Sequence, residues 1–177
     1  MLTTLTVIAV IIAVAVAAIL ILAARKPDTL SVQRSISIKA PPEKIFATLN
    51  DFHRWRSWSP YEGKDPAMTR AFSGADAGKG AIYEWNGNRN VGSGRMEILD
   101  TTPTQTRIKL DFFTPFEGHN TAEFTALPRG DATTLTWSMR GPSPFMSKVM
   151  QVFMNMDNMI GKDFETGLGN LKDLAET

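Results

Sequence analysis

The stretch SPFMSKVMQVFMNMDNMIGKDFETGLGNLKDLAE, Ser143 to Glu176, reads as one long amphipathic helix closing a sequence otherwise made of short strands. At about 100° per residue, Val149, Phe153, Met156, Ile160, Phe164, Gly167 and Leu171 fall in one stripe, with Asn155, Asn158, Lys162 and Glu165 outside it. Such a stripe must lie on something apolar, and the preceding segments supply a sheet. The expected form is a curved sheet gripping a helix, an architecture that often encloses a cavity.

Working back along the chain, Leu30 to Ile38 alternates Leu30, Val32, Arg34, Ile36 and Ile38 against serines and Gln33, the pattern of a half-buried strand. Pro41 and Pro42 stop it and suit the first turn of a helix whose apolar side is Ile45, Phe46 and Leu49. A second short helical piece carries Phe52, Trp55 and Trp58 and ends before Pro60. Strands are expected at Met68 to Phe72, Ala81 to Trp85, Gly92 to Leu99, Thr106 to Phe113, Thr121 to Leu127 and Thr133 to Arg140, spaced as hairpins by Gly, Asn, Pro and Asp clusters. With the first strand they make seven.

Ahead of the strands, Leu2 to Ala24 carries no charged side chain and is mostly Val, Ile, Ala and Leu. At about 1.5 Å per residue it is long enough to cross a hydrocarbon core of about 30 Å. A cleaved secretory signal needs a basic start, whereas the basic pair Arg25 and Lys26 follows the run. The expectation is an uncleaved, single-pass anchor in residues 1–26 and one domain in residues 27–177, on the cytoplasmic side by the positive-inside tendency. Without Arg25 and Lys26, 17 of the 19 basic residues face 18 acids, a formal charge of −1. The basic residues are interleaved with acids, so no nucleic-acid partner is expected. There are no cysteines, which removes disulfides, thiolate metal sites and cysteine nucleophiles.

The segments Ala40-Pro-Pro-Glu-Lys-Ile-Phe, Leu49-Asn-Asp-Phe-His-Arg-Trp, Trp58-Ser-Pro, Tyr83-Glu-Trp-Asn-Gly-Asn, Val91-Gly-Ser-Gly-Arg-Met-Glu-Ile, Pro115-Phe-Glu, Trp137-Ser-Met-Arg-Gly and Gly161-Lys-Asp-Phe-Glu-Thr-Gly-Leu together resemble a bacterial branch of the START-like superfamily (SRPBCC). That superfamily includes Bet v 1 relatives and polyketide cyclase/dehydrase-type proteins. The resemblance implies the α+β helix-grip fold: an antiparallel seven-stranded sheet, two small helices, and a C-terminal helix across the concave face. It also implies a hydrophobic small molecule or lipid as ligand, with cyclisation, dehydration or hydrolysis in some members and activation of a heat-shock ATPase in others. A membrane segment departs from the simplest soluble pattern.

Several motifs are less than they look. Gly74-Ala-Asp-Ala-Gly-Lys-Gly is one residue short of a phosphate loop and lies between strands, so it reads as a hairpin loop. Gly92-Ser-Gly94 lacks the third glycine of a dinucleotide fingerprint and reads as a bulge or close approach. No cofactor is expected. His53 and His119 have no partners at metal-ligand spacing, so no metal is expected either.

The weak acid or base candidates are His119, in a loop after Pro115-Phe-Glu, and Asp157, about 50° from the centre of the helical stripe. Both have blander readings, a solvated histidine and a rim carboxylate. Parity puts Arg34 on the face that meets the helix, where it needs an anion: Asp157, Glu165 or a ligand carboxylate. Tyr83, Trp85, Phe112, Phe124 and Trp137 fall at inward parities, and Trp58 lies near the entrance under the architecture the resemblance implies. Six methionines between Met139 and Met159, Met139 and Met156 among them, suit a pliable wall as well as a core. With Phe153 from the stripe and Arg34, these residues form the candidate ligand site. The leading reading is a membrane-anchored binding module for a hydrophobic molecule or lipid. The alternatives are a cyclase or dehydratase in the same cavity, and a protein-binding module.

Overall fold

The computed structural model describes residues 2–177. Helix α1 (Leu2–Ala24) leads into strand β1 (Thr29–Ile38), then α2 (Pro42–Leu49), a 3-10 turn (Phe52–Ser57) and the short α3 (Pro60–Lys64). Six strands follow: β2 (Thr69–Gly74), β3 (Ala81–Asn86), β4 (Ser93–Thr102), β5 (Gln105–Thr114), β6 (Gly118–Arg129) and β7 (Ala132–Pro142). The chain ends in α4 (Phe145–Phe153) and α5 (Met156–Glu176).

The strands form one antiparallel sheet in the order β1-β7-β6-β5-β4-β3-β2. Five hairpins in succession build it from β2 to β7. The one long connection, through α2 and α3, lets β1 pair with β7, with Thr29 opposite Pro142 and Ile38 opposite Thr133. The two ends of the sheet-forming segment therefore meet at one edge: α1 enters at the start of β1 and α4 leaves from the end of β7. The β3–β4 and β5–β6 loops lie at this same end of the sheet. The β6–β7 turn, around Gly130, lies at the other.

The expected seven strands are all present, longer than the alternation alone suggests by a residue or more at most ends, because the ladders continue into polar residues that hydrophobic periodicity does not see. Gly74, Gly78 and Gly80 take positive φ in the β2–β3 hairpin loop, as that reading requires. Gly94 sits at a register shift between β4 and β5, where an added Cβ would meet the Trp85 ring at 2.5 Å, the close approach expected of it.

The expectation of a single closing helix fails. The helix from Ser143 to Glu176 is two helices, broken where Met154 adopts an extended backbone (φ −126°, ψ 132°) and Asn155 caps α5, its side chain accepting from the Asn158 backbone N–H at 3.0 Å. The stripe breaks with it. Ile160 remains half-buried and Phe164, Gly167 and Leu171 buried, whereas Phe153 is 68 % exposed. Across the break, α4 packs chiefly against α1 and not against the sheet.

The core lies between the concave face and α5. Val32, Ile38, Ile98, Ile108, Phe124 and Leu135 from the sheet meet Phe164, Leu168 and Leu171, while α2 and the 3-10 turn close the far end with Ile45, Leu49, Phe52 and Trp55. Fully burying each such side chain contributes about 1.5–3 kcal/mol.

Candidate functional site

Inside the grip the aromatic side chains stack on one another. Phe164 of α5 lies flat on Trp137, with centroids 4.0 Å apart and planes 7° apart. Trp137 stacks on Phe124 at 5.0 Å, and Trp58 meets both edge-on at 5.6 and 6.1 Å. Trp55 continues the cluster against Trp58 at 4.8 Å. Phe124 and Trp137 are buried as inward parity requires, whereas Trp58, expected near an entrance, is fully buried among them, and their rings pack the space between sheet and α5. The sheet–helix cavity anticipated from the architecture is closed here by these side chains.

Two polar atoms stand out in this apolar interior. The indole N–H groups of Trp58 and Trp137 are buried and, among the described residues, have no acceptor within hydrogen-bond reach. The Trp55 indole, by contrast, donates to the Leu49 carbonyl at 2.9 Å, and that of Trp85 to the Val91 carbonyl at 3.1 Å. Leaving a buried donor unpaired costs about 1–3 kcal/mol. Both indoles belong to the same aromatic cluster, their rings 5.6 Å apart.

The remaining candidates separate into three groups. Tyr83, Trp85, Phe112 and Met139 occupy the concave face, Trp85 and Phe112 half-buried toward the α1 end of the sheet and in edge contact at 5.8 Å. The Tyr83 hydroxyl is committed: it donates to Glu62 at 2.8 Å. Glu62 is also gripped by Arg70, at 2.8 Å to Nε and 2.6 Å to Nη2. Burial first, then the bond to Glu62, raises the phenol's pKa, so it stays a donor. This Glu62–Arg70–Tyr83 cluster pins α3 to β2 and β3. Sequence reasoning missed Glu62, because a five-residue helix shows no periodicity and only the β2–β3 register brings Arg70 and Tyr83 beside it.

Arg34 meets the anions expected of it. Its guanidinium donates to Asp157 Oδ2 at 3.0 Å and Oδ1 at 3.2 Å, to Glu165 Oε1 at 2.8 Å, and to the Asp157 carbonyl at 3.1 Å. The bond from Arg34 holds the Asp157 carboxyl below its ordinary value. Asp157 is thus an ionised rim carboxylate that staples the first turn of α5 to β1, and a poor proton donor. His119 lies within β6 and not in a loop, because that strand begins at Gly118. Its neighbours Ala122 and Phe124 point inward, so alternation sends His119 to the convex face. There it bonds Asp111 at 2.8 Å, with Lys109 on the other carboxylate oxygen at 3.0 Å. Desolvation pushes Asp111 up, but the bonds from His119 and Lys109 outweigh it and hold the carboxyl low. Neither Asp157 nor His119 reaches the aromatic interior.

Phe153 and Met156 belong to a groove of about 520 Å³ at the α4–α5 break, together with Leu30, Val152, Met154 and, at its entrance, Lys26. Its lining is mixed: Leu30, Val152, Phe153, Met154 and Met156 are apolar, while Thr29, Ser31, Gln151, Asn155, Asp157 and Lys26 are polar or charged. A second groove, of about 670 Å³, lies at the opposite end beside His53, Arg56 and Leu174.

Comparisons with known proteins fit this geometry. Among solved structures, a protein from Chromobacterium violaceum, CV1439, superposes with a TM-score of 0.59 at 17 % identity, covering 86 % of this chain and 99 % of its own. A Nitrosospira multiformis protein gives 0.60 at 17 % identity, over 82 % of this chain and 96 % of its own. The di-domain ARO/CYC StfQ from the steffimycin biosynthetic pathway gives 0.62 at 9 % identity, covering 84 % of this chain and 51 % of StfQ. At these identities the likeness is one of fold. No curated protein sequence matches. A family profile described as polyketide cyclase/dehydrase and lipid transport matches residues 29–176, from the first residue of β1 to the last of α5. With the seven-stranded sheet gripping α5, that match makes the chain a member of the polyketide cyclase/dehydrase and lipid transport family.

Proposed function

We propose that the chain is a membrane-anchored domain that binds a hydrophobic small molecule or lipid between the concave face and α5. The observation that carries this reading is the pair of buried, unpartnered indole N–H groups of Trp58 and Trp137 in an interior otherwise lined by apolar rings. A mostly apolar interior with a few unpaired polar groups has the character of a small-molecule site, and a ligand carbonyl or hydroxyl would satisfy such a donor. The family description is consistent with such a ligand. Phe124, Met139, Trp85 and Phe112 form the walls, and the groove at the α4–α5 break, with Phe153 and Met156, is the route in. Because the rings fill the interior in this state, binding requires them to part, which the flexible methionines along that route favour. Residues 1–26 serve as the anchor, and Arg25 and Lys26 favour a cytoplasmic domain.

Native mass spectrometry of the full-length protein, released from membranes in mild detergent, tests the site. The expected result is a co-purifying hydrophobic species that is lost in Trp58→Phe/Trp137→Phe, a variant that keeps the ring stack but not the donors. A species retained in full by that variant overturns the site, and no species at all favours a protein-binding module with a filled core.

A further inference from the structure

Six large apolar side chains at the α1 end of the domain lie open to solvent: Phe113 and Phe116 around the β5–β6 loop, Phe145, Met146 and Phe153 on α4, and Met154 just after it. The four aromatics are 50–68 % exposed, and they gather at one end of a molecule that buries most of its other rings wholly or in part. A scattered apolar residue needs no explanation, but a cluster at one end does.

Helix α1 indicates what covers them. From Thr3 to Ala24 it is apolar and long enough to cross a membrane, and its side chains are exposed throughout except Ile19, half-buried, and Ala23, fully buried. These two are four residues apart, on one face of the last two turns. Since α1 packs against α4, that contact is made there, about 1–8 Å from the helix end at a rise of 1.5 Å per residue. If α1 spans a hydrocarbon core of about 30 Å, its last turns stand at the headgroup boundary. So does α4. Asp28, just past the span, receives the Lys148 ammonium of α4, so a charged pair fixes the helix there beside the chain's exit from the membrane.

We propose that α4 is an interfacial helix and that it and the β5–β6 loop dock the domain on the lipid bilayer through Phe113, Phe116, Phe145, Met146, Phe153 and Met154. The apolar side chains enter the headgroup–acyl boundary while Lys26 and Arg25 remain at headgroup level. This turns the groove at the α4–α5 break toward the acyl chains, so a hydrophobic ligand reaches it without crossing water. The inference rests on α1 as a span, not on the identity of any ligand.

The chain has no cysteine, which allows single environment-sensitive labels without other changes. Four full-length variants, Ile12→Cys, Phe116→Cys, Met146→Cys and Asp131→Cys, are labelled with NBD and reconstituted in phosphatidylcholine–phosphatidylglycerol vesicles. Asp131, in the β6–β7 turn, marks the far end of the sheet. The expected result at 116 and 146 is blue-shifted emission, quenching by nitroxide-labelled lipid and loss of quenching by aqueous iodide; position 131 shows the reverse. Lipid quenching at 12 with iodide quenching at 116 and 146 overturns the docking surface and leaves the anchor standing. No lipid quenching at 12 overturns the anchor, and the docking with it. Labels at 116 and 146 shielded from both quenchers mean that protein, not lipid, covers the surface, which also overturns the proposal.

Discussion

Gly167 and Gly161 are where α5 comes closest to what lies beneath it. A Cβ at Gly167 would stand 2.9 Å from both the Pro60 ring and Trp137, and one at Gly161 would overlap the Arg34 guanidinium. Glycine costs about 1 kcal/mol of helix propensity relative to alanine, and close approach offsets it. Gly167→Leu should therefore destabilise the domain by about 1–3 kcal/mol in a denaturant melt although leucine is the better helix former, because neither a proline ring nor a stacked indole can step aside. The apolar stripe was enough to find Gly167. Gly161 was invisible, since its constraint is a side chain from a strand over a hundred residues away. Arg34 was legible from parity alone, as an inward charge that needed a counter-charge. Asp157 gains from that pair while ionised: its folded-state pKa is lowered, so the stabilisation is complete above the unfolded value of about 3.9 and is lost as pH falls through the folded one. The stability gap between wild type and Asp157→Asn should accordingly hold at neutral pH and close below about pH 4; a gap unchanged at pH 3 would mean that the carboxylate does not stabilise the fold through its charge.

The break between α4 and α5 shows how far an element can be read from periodicity. Apolar residues recur on both sides of Asn155, and a helical wheel runs through it without interruption. What interrupts it is hydrogen bonding: the Asn155 side chain caps the Asn158 N–H, and asparagine competes with the helix for backbone bonds. The four-residue spacing of Phe153 from Val149 and of Phe164 from Ile160 is equally good in one helix or two, so the hydrophobic pattern could not decide. Asn155→Ala removes the cap. It should lower stability by about 0.5–2 kcal/mol, measured by urea titration with circular dichroism. If a continuous helix were the preferred state, the same substitution would raise helix content and leave stability unchanged or higher. The strands were legible because their ladders alternate. Their true ends were not, because pairing with a neighbour extends a strand past its last apolar residue, which is also why His119 looked like a loop residue.

At the scale of the whole molecule, the question is how much of the fold depends on α1. Every strand has its ladder partners within residues 29–142. Beyond its first turn at Arg34, α5 is tied down by Lys64 to Asp163 at 2.6 Å, by the Lys39 N–H to Glu176 at 2.7 Å, and by Lys172 to the Ser37 carbonyl at 2.8 Å. By contrast, among its described side chains α1 is withdrawn from solvent only at Ile19 and Ala23. We expect residues 27–177 to unfold cooperatively without residues 1–26, in calorimetry or a thermal melt followed by tryptophan fluorescence. The truncated domain should differ from full length in behaviour more than in stability: it loses the cover that α1 gives α4, and should associate with itself or with detergent. Removing residues 143–177 is the opposite case. It strips the concave face of Phe164, Leu168 and Leu171, leaves Trp137 and Phe124 open to water, and releases Arg34 from both its carboxylates. That chain should show no cooperative transition at all. A sharp melt there, or loss of the transition when only residues 1–26 are removed, would mean that the grip of sheet on helix is not what holds the domain together.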